Sequence, residues 1–223
     1  MQNKVYLQKA IAESGRCSRR GAEDLIKQGK VKVNGKLGEL GQKVDTKKDK
    51  VEIGDKILQA EEKVCYILNK PKGYVCTLAD RHAPEKVVDL LPKSPRVFPV
   101  GRLDKDSRGL LILTNDGQRA NEMMHPSFWH EKEYEVEVGK NINDDFLKKM
   151  RQGVRLKEGF AKADKIEKID DKKFSIILHQ GWKRQVKRMA EKCWYEVIDL
   201  KRVRVGNIKL GRLGEGEYKR IKI

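Results

Sequence analysis

No stretch of the sequence is apolar for long enough to cross a bilayer, and the opening residues, Met1 to Lys9, carry no apolar run of the kind a secretory signal needs. The expectation is a cytoplasmic protein with no membrane partner. Cysteine is scarce and scattered. Cys17, Cys65, Cys76 and Cys193 include no C-x-x-C pair, which argues against a disulfide framework and suits lone thiols in a reducing compartment. Histidine is equally thin: His82, His125, His130 and His179 lack ligand spacing with one another or with a cysteine, and Pro126 interrupts any helical face shared by His125 and His130. A zinc site is not expected. There is also no internal repeat and no low-complexity tract.

What the chain has in excess is positive charge. Its 223 residues hold 50 Lys and Arg against 33 Asp and Glu, a formal net charge of +17. Such an excess attracts polyanions, of which nucleic acid is the commonest. An acidic membrane surface is the rival, but the basic residues are spread through both halves of the chain rather than gathered along one helix face. The last stretch, Trp182 to Ile223, holds 13 Lys and Arg against 5 Asp and Glu and is expected to form much of a docking surface.

Hydrophobic periodicity divides the chain in two. Leu7, Ala10 and Ile11 recur at helical spacing until Ser14-Gly15. Ser18 is a good N-cap for a second helix with Ala22, Leu25 and Ile26 on one face and Gly29 as its stop. Val31-Lys32-Val33 then alternates like a strand and runs into Asn34-Gly35, a hairpin-turn pair, and Val51-Glu52-Ile53 is a closing strand. Residues 1–58 thus form a small domain, 59–63 a polar linker, and 64–223 a larger domain. In the latter, strand-like runs (Cys65 to Leu68, Gly109 to Leu113, Tyr134 to Val138, Phe174 to Leu178) outnumber helical ones (Gly117 to Met124, Asp144 to Arg151, Gln185 to Lys192) without regular alternation. The fold class expected is α+β with a mixed, mostly antiparallel sheet.

Two basic or acidic clusters invite a functional reading. Arg16, Arg19 and Arg20 lie between the two N-terminal helices, either as a solvated basic surface or as a phosphate-binding face backed by a helix amide end. In the larger domain, Gly101-Arg102-Leu103-Asp104-Lys105-Asp106-Ser107-Arg108 is a charge-dense loop feeding an apolar strand, a common setting for active-site residues. Its aspartates can equally cap or pair locally.

The segment from Leu7 to Gly35, with Gly15, Ser18-Arg19-Arg20, Ala22-Glu23 and Lys30-Val31-Lys32-Val33-Asn34-Gly35, resembles the alpha-L RNA-binding module of ribosomal-protein type. Downstream, Asn69-Lys70-Pro71-Lys72-Gly73, Gly101-Arg102-Leu103-Asp104 running to Thr114-Asn115-Asp116-Gly117, Lys132-Glu133-Tyr134, and Arg184-Gln185-Val186-Lys187-Arg188-Met189 are similar, in the same order, to the motifs of RsuA/RluB-type ribosomal pseudouridine synthases. The resemblance covers nearly the whole chain. It implies isomerisation of a specific uridine in structured RNA, with ribosomal RNA or a ribosome-assembly intermediate as partner, by a monomeric enzyme that needs no cofactor. It makes Asp104 the catalytic carboxylate, acting as nucleophile at sugar or base, or as a base toward a sugar proton. Tyr134 would stack on the target base and help in proton transfer, the residues alone also allowing an aromatic packed in the core. Lys187 would pair with Asp104 and hold it in its charged form, its alternative being a solvated lysine on a basic helix. Leu200 would pack beneath the base, Arg102 would hold RNA after the base has left its stack, and Arg184 would join the substrate contacts. Asp106 is left as a local structural residue. One departure is Gln180-Gly181-Trp182-Lys183 in place of a Glu-Gly sequence; Trp182 either stacks on a base or packs. The alternatives are a non-catalytic RNA-binding or ribosome-assembly factor on the same domains, and a metal-dependent hydrolase using Asp104 and Asp106.

Overall fold

The computed structural model describes residues 4–78, 85–124 and 130–222; His82 and His125 lie outside them. The chain divides into two units, the first formed by Met1–Val64 with Ser94–Arg96 and Asn115–Gly117, the second by the remainder.

The first unit begins with strand β1 (Lys4–Tyr6), helix α1 (Leu7–Glu13) and helix α2 (Arg19–Lys27), followed by β2 (Val31–Val33), β3 (Lys36–Leu37), β4 (Lys43–Asp45), β5 (Val51–Ile53) and β6 (Lys56–Ile57). Leu7 and Ile11 of α1, and Ala22 and Ile26 of α2, are each four apart and therefore share one helix face. All four are buried and meet Val31, Val33, Val44 and Val51 in one core. The Ser18 hydroxyl accepts from the Gly21 amide at 3.1 Å and caps α2. Asn34 and Gly35 take φ of 51° and 80°, the doubly positive pair that a tight β2–β3 hairpin requires. Asn34 is further held by Nδ2 donating to Asp49 (2.9 Å) and Oδ1 accepting from the Lys50 amide (2.8 Å).

The second unit contains β7 (Cys65–Lys70), a short 3-10 turn (Val87–Leu90), β8 (Phe98–Val100), β9 (Arg108–Thr114), α3 (Gly117–Met124), β10 (Lys132–Val138), α4 (Asp144–Gln152), β11 (Val154–Leu156), β12 (Gly159–Ala161), β13 (Lys165–Lys168), β14 (Lys173–Leu178), α5 (Gln185–Lys192), β15 (Val197–Val205), β16 (Ile208–Lys209) and β17 (Tyr218–Ile221). Nine strands form one sheet in the order β13-β14-β10-β15-β9-β7-β17, with β16 added to β15 and β8 to β9. Every pairing is antiparallel except β15 with β9. The architecture is α+β, with the mixed, mostly antiparallel sheet that strand content without regular alternation suggests.

That parallel contact is a seam. It joins two antiparallel blocks, each with its own core: Phe146, Phe174, Ile176 and Met189 on one side, Ile67, Leu110, Ile112 and Val100 on the other. Only Lys201↔Arg108 and Arg202↔Gly109 are paired across it. Gly109 has φ +104°, and a Cβ at this position would run into the backbone of Arg202. A residue without a side chain is what lets the strands approach. The Arg202 side chain is buried and crosses the same junction, its Nε donating to the Leu110 carbonyl at 2.8 Å.

Sequence reading misses β15. Its residues Val-Ile-Asp-Leu-Lys-Arg-Val-Arg-Val place charges on both faces, whereas a half-buried strand normally alternates. The conflict disappears once Asp199, Arg202 and Arg204 are seen to hold fixed partners within the second unit.

Candidate active site

The sheet register lines up residues from three separate sequence motifs with one from β15. Lys70 of β7 lies opposite Gly109 of β9, Gly109 opposite Arg202 of β15, and Arg202 opposite Tyr134 of β10. They form one row across four neighbouring strands. Leu200 pairs with Val136 on the next same-face row, and direct cross-strand partners share a face. Tyr134 and Leu200 are thereby diagonal neighbours, Leu200 buried and Tyr134 half-buried against the same core.

The loop 101–107 enters β9 at this row and is held from beneath by Lys70. This lysine has no exposed surface. Its ammonium donates to the carbonyls of Ser107 (2.7 Å), Pro71 (2.9 Å) and Lys105 (3.4 Å). Burial pushes it below the ordinary lysine value, against the opposing pull of nearby Cys76, Asp106 and Asp104. Three further bonds fix the loop: the Gly73 amide to the Lys105 carbonyl (2.8 Å), the Ser107 amide to the Asp104 carbonyl (3.1 Å), and the Leu103 amide to Cys76 Sγ (3.3 Å). The motif Asn69 to Gly73 therefore acts as the bed of the loop. Asp104 is half-buried, Leu103 buried and Arg102 exposed.

The positive charge contributed by α5 falls on Asp106. Lys187 Nζ lies 2.8 Å from its carboxylate, and Arg184 Nη1 reaches both oxygens at 3.0 and 3.1 Å. The pairing of Lys187 with Asp104 implied by family resemblance is not what the geometry gives. The bond from the Ser107 amide to the Asp104 carbonyl makes a tight turn with Asp106 inside it, and it is the Asp106 carboxylate that α5 meets. Asp106 is thus more than a local capping residue. Burial pushes its carboxyl up, but the Lys187 and Arg184 bonds more than offset this and leave it below the usual carboxylate value. Arg184 itself is left-handed, with φ 51°, a backbone state costing a non-glycine residue about 1 kcal/mol or more. Its side chain gains the ion pair at the head of α5 in return. Gln185 pins the preceding loop, accepting from the Trp182 amide (3.1 Å) and donating to Gln180 (2.8 Å). Trp182 packs against the core and over Gly159.

A second ion cluster stands at the start of β9 and β15. Arg108 grips Asp199 through Nε (2.9 Å) and Nη2 (2.8 Å), and Lys72 joins at 2.7 Å. Burial raises the Asp199 carboxyl, but these bonds outweigh it and hold the group below its usual value. Sequence reasoning does not single out Lys70, Lys72, Arg108, Asp199 or Arg202 as members of one site. Among the described residues no three His, Cys, Asp or Glu side chains gather where they could hold a metal ion.

In the first unit Arg16, Arg19 and Arg20 are all exposed. Arg19 and Arg20 occupy the opening turn of α2, immediately after the Ser18 cap, and Arg16 precedes it. Exposed guanidinium groups beside a helix amide end can take phosphate oxygens.

Residues 64–192 match the model of the RNA pseudouridylate synthase family, and residues 7–57 match that of the S4 domain. The ribosomal large subunit pseudouridine synthase B of Bacillus subtilis (strain 168) is 42% identical over 96% of this chain and 91% of its own length. The dual-specificity RNA pseudouridine synthase RluF of Escherichia coli (strain K12) is also 42% identical, over 96% of this chain and 74% of its own length. The crystal structure of a pseudouridylate synthase superposes with a TM-score of 0.70 at 29% identity, covering 98% of this chain and 96% of the other.

Proposed function

Because the chain belongs to the RNA pseudouridylate synthase family, we propose that it converts a uridine of ribosomal RNA to pseudouridine, with Asp104 as the working carboxylate and no cofactor. The observation that carries this reading is the row Lys70–Gly109–Arg202–Tyr134, which gathers separate motifs around the loop bearing Asp104. A protein that only bound RNA would not require a half-buried carboxylate on a loop clamped by a buried lysine.

The reaction adds and removes no atoms. The bond from uracil N1 to C1′ breaks, the base turns, and a bond from C5 to C1′ replaces it; the proton leaving C5 is matched by one gained at N1. Asp104 acts as nucleophile toward sugar or base, or as base toward a sugar proton. Tyr134 stacks on the uracil while Leu200 supports it from the buried face. Arg102, exposed at the loop entrance, holds RNA once the target has left its stack. Lys187 and Arg184, anchored on Asp106, bring positive charge to the loop, and Asp106 is a positioning residue that acts through them. Arg16, Arg19 and Arg20 bind phosphates of the same RNA. We read the enzyme as a monomer, and ribosomal RNA as substrate implies a cytoplasmic one.

The test is to map pseudouridine in ribosomal RNA from cells with and without the gene. One modified position should vanish, return with the wild-type gene, and fail to return with Asp104→Asn. An unchanged map in the absence of the gene would refute the assignment.

A further inference from the structure

The far end of α5 carries a feature that the reaction leaves unexplained. The helix stops in a Schellman turn: the Trp194 amide donates to the Glu191 carbonyl (2.9 Å) and the Tyr195 amide to the Ala190 carbonyl (3.0 Å). This turn needs a left-handed residue, and glycine fills it without strain. Here the position is held by Trp194, at φ +66°. For a bulky side chain that is a true outlier. The indole gains no burial in exchange, because Trp194 is 84% exposed, far more than any other large apolar residue described. A tryptophan that is both strained and exposed contributes nothing to the stop that glycine would not do better.

Its surroundings indicate what it meets. Arg155, Lys157, Arg188 and Lys192 line the same shallow groove, against the carboxylate of Glu191. Arg188 is already paired with Glu158 at 2.8 Å, which leaves Arg155, Lys157 and Lys192 in excess. An aromatic face amid cations is the arrangement that takes an unpaired base by stacking and its phosphates by charge. We propose that Trp194 is a stacking platform for an unpaired nucleotide of the substrate RNA, with Arg155, Lys157 and Lys192 as its phosphate contacts. Trp194 lies just past the end of α5, on the far side of that helix from Lys187 and Arg184 along the chain, so the nucleotide it holds lies outside the catalytic loop. The proposal rests on RNA being the substrate.

The experiment compares wild type, Trp194→Gly and Trp194→Phe for dissociation constant on a naked ribosomal RNA transcript, kcat at saturating RNA, and melting temperature. Trp194→Gly should melt no lower than wild type, because glycine relieves the left-handed position, yet bind the transcript roughly tenfold more weakly with kcat unchanged. Trp194→Phe should fall between. Replacing Lys157 and Lys192 by alanine should lower the salt dependence of binding by about one to two in log–log slope. Unaltered affinity of Trp194→Gly, or a fall in its melting temperature that accounts for the weakening, overturns the proposal. So does a defect confined to assembled ribosomal particles, which would put a protein on the indole. A wild-type protein that makes no pseudouridine but loses affinity on Trp194→Gly would sink the substrate assignment and leave this surface standing.

Discussion

The two units use arginine and lysine in opposite ways. In the first, Arg16, Arg19 and Arg20 stand exposed around the start of a helix, as the phosphate contacts proposed for them require. In the second, six cations around the loop are held by fixed partners. Lys70 is buried on three carbonyls, Arg108 and Lys72 are locked on Asp199, Arg184 and Lys187 on Asp106, and Arg202 on the Leu110 carbonyl. Long side chains lose rotamer freedom when they are held, so ordering six of them opposes folding and must be offset by the bonds they make. The contrast separates charge that gives affinity from charge that fixes geometry. It should also appear in kinetics, as effects on KM for the exposed arginines of the first unit and on kcat for the bonded cations around the loop of the second.

The sharpest way to break that contrast is Asp104→Asn. It keeps shape and hydrogen-bonding capacity but removes the charge, so single-turnover rates on transcribed ribosomal RNA should fall at least on the order of a hundredfold with RNA affinity little changed. Near-normal turnover would overturn the mechanism.

Next comes the anchoring of α5. Asp106→Asn releases Lys187 and Arg184, and kcat should drop roughly tenfold with KM nearly constant, while Asp106→Glu restores part of the loss. Lys187→Met should act similarly, and adding it to Asp106→Asn should cost little more, since residues that work as one unit are not additive. Full additivity would show that the ion pair is not the working unit. A merely structural role would lower the melting temperature without this split.

Smaller still is the triple replacement of Arg16, Arg19 and Arg20 by alanine. It should raise KM about fivefold and reduce the salt slope of binding by about two, leaving kcat at saturating RNA unchanged. A loss of kcat would dissolve the division of labour drawn above.

The smallest effect is on acid stability. Asp199 sits below its ordinary value of 3.8 in the folded protein, so its ion cluster stabilises fully above that pH. The contribution fades as the pH falls through the depressed value, when the folded carboxylate takes up its proton. Asp199→Asn should therefore melt a few degrees below wild type at pH 6, the two curves converging as the pH drops under 3.8. A gap that stays constant would mean the cluster is not what Asp199 contributes.

Much of the fold was legible in the sequence because its elements carry local signals. Ser18 before an amphipathic run, Asn34-Gly35 between alternating valines, and Gly109 to Leu113 as an unbroken apolar strand each depend on residues a few positions apart. The site was less legible because its bonds span distance. Arg184 meets Asp106 from 78 residues away, and Arg108 meets Asp199 from 91. No periodicity announces such a pair, so from the sequence Asp106 reads as a local structural residue, and β15 is only part of a basic stretch expected to dock RNA. Lys70 was deceptive for another reason: a lysine is expected in water, and nothing local says that three carbonyls await it. Family resemblance supplied the candidates Asp104, Tyr134 and Lys187, but named Asp104 as the lysine's partner.

The seam at Gly109 has a consequence for anyone who would remake this enzyme. In a library randomised over Arg108, Gly109 and Leu110 and selected for function, the flanking positions would accept several residues of like character, while position 109 would return glycine. The smallest possible addition, a single methyl group, already meets the Arg202 backbone. With two residue pairs joining the halves of the sheet, that methyl would part the strands beside the loop that carries Asp104, so the least elaborate residue of the seam is the one that admits no replacement.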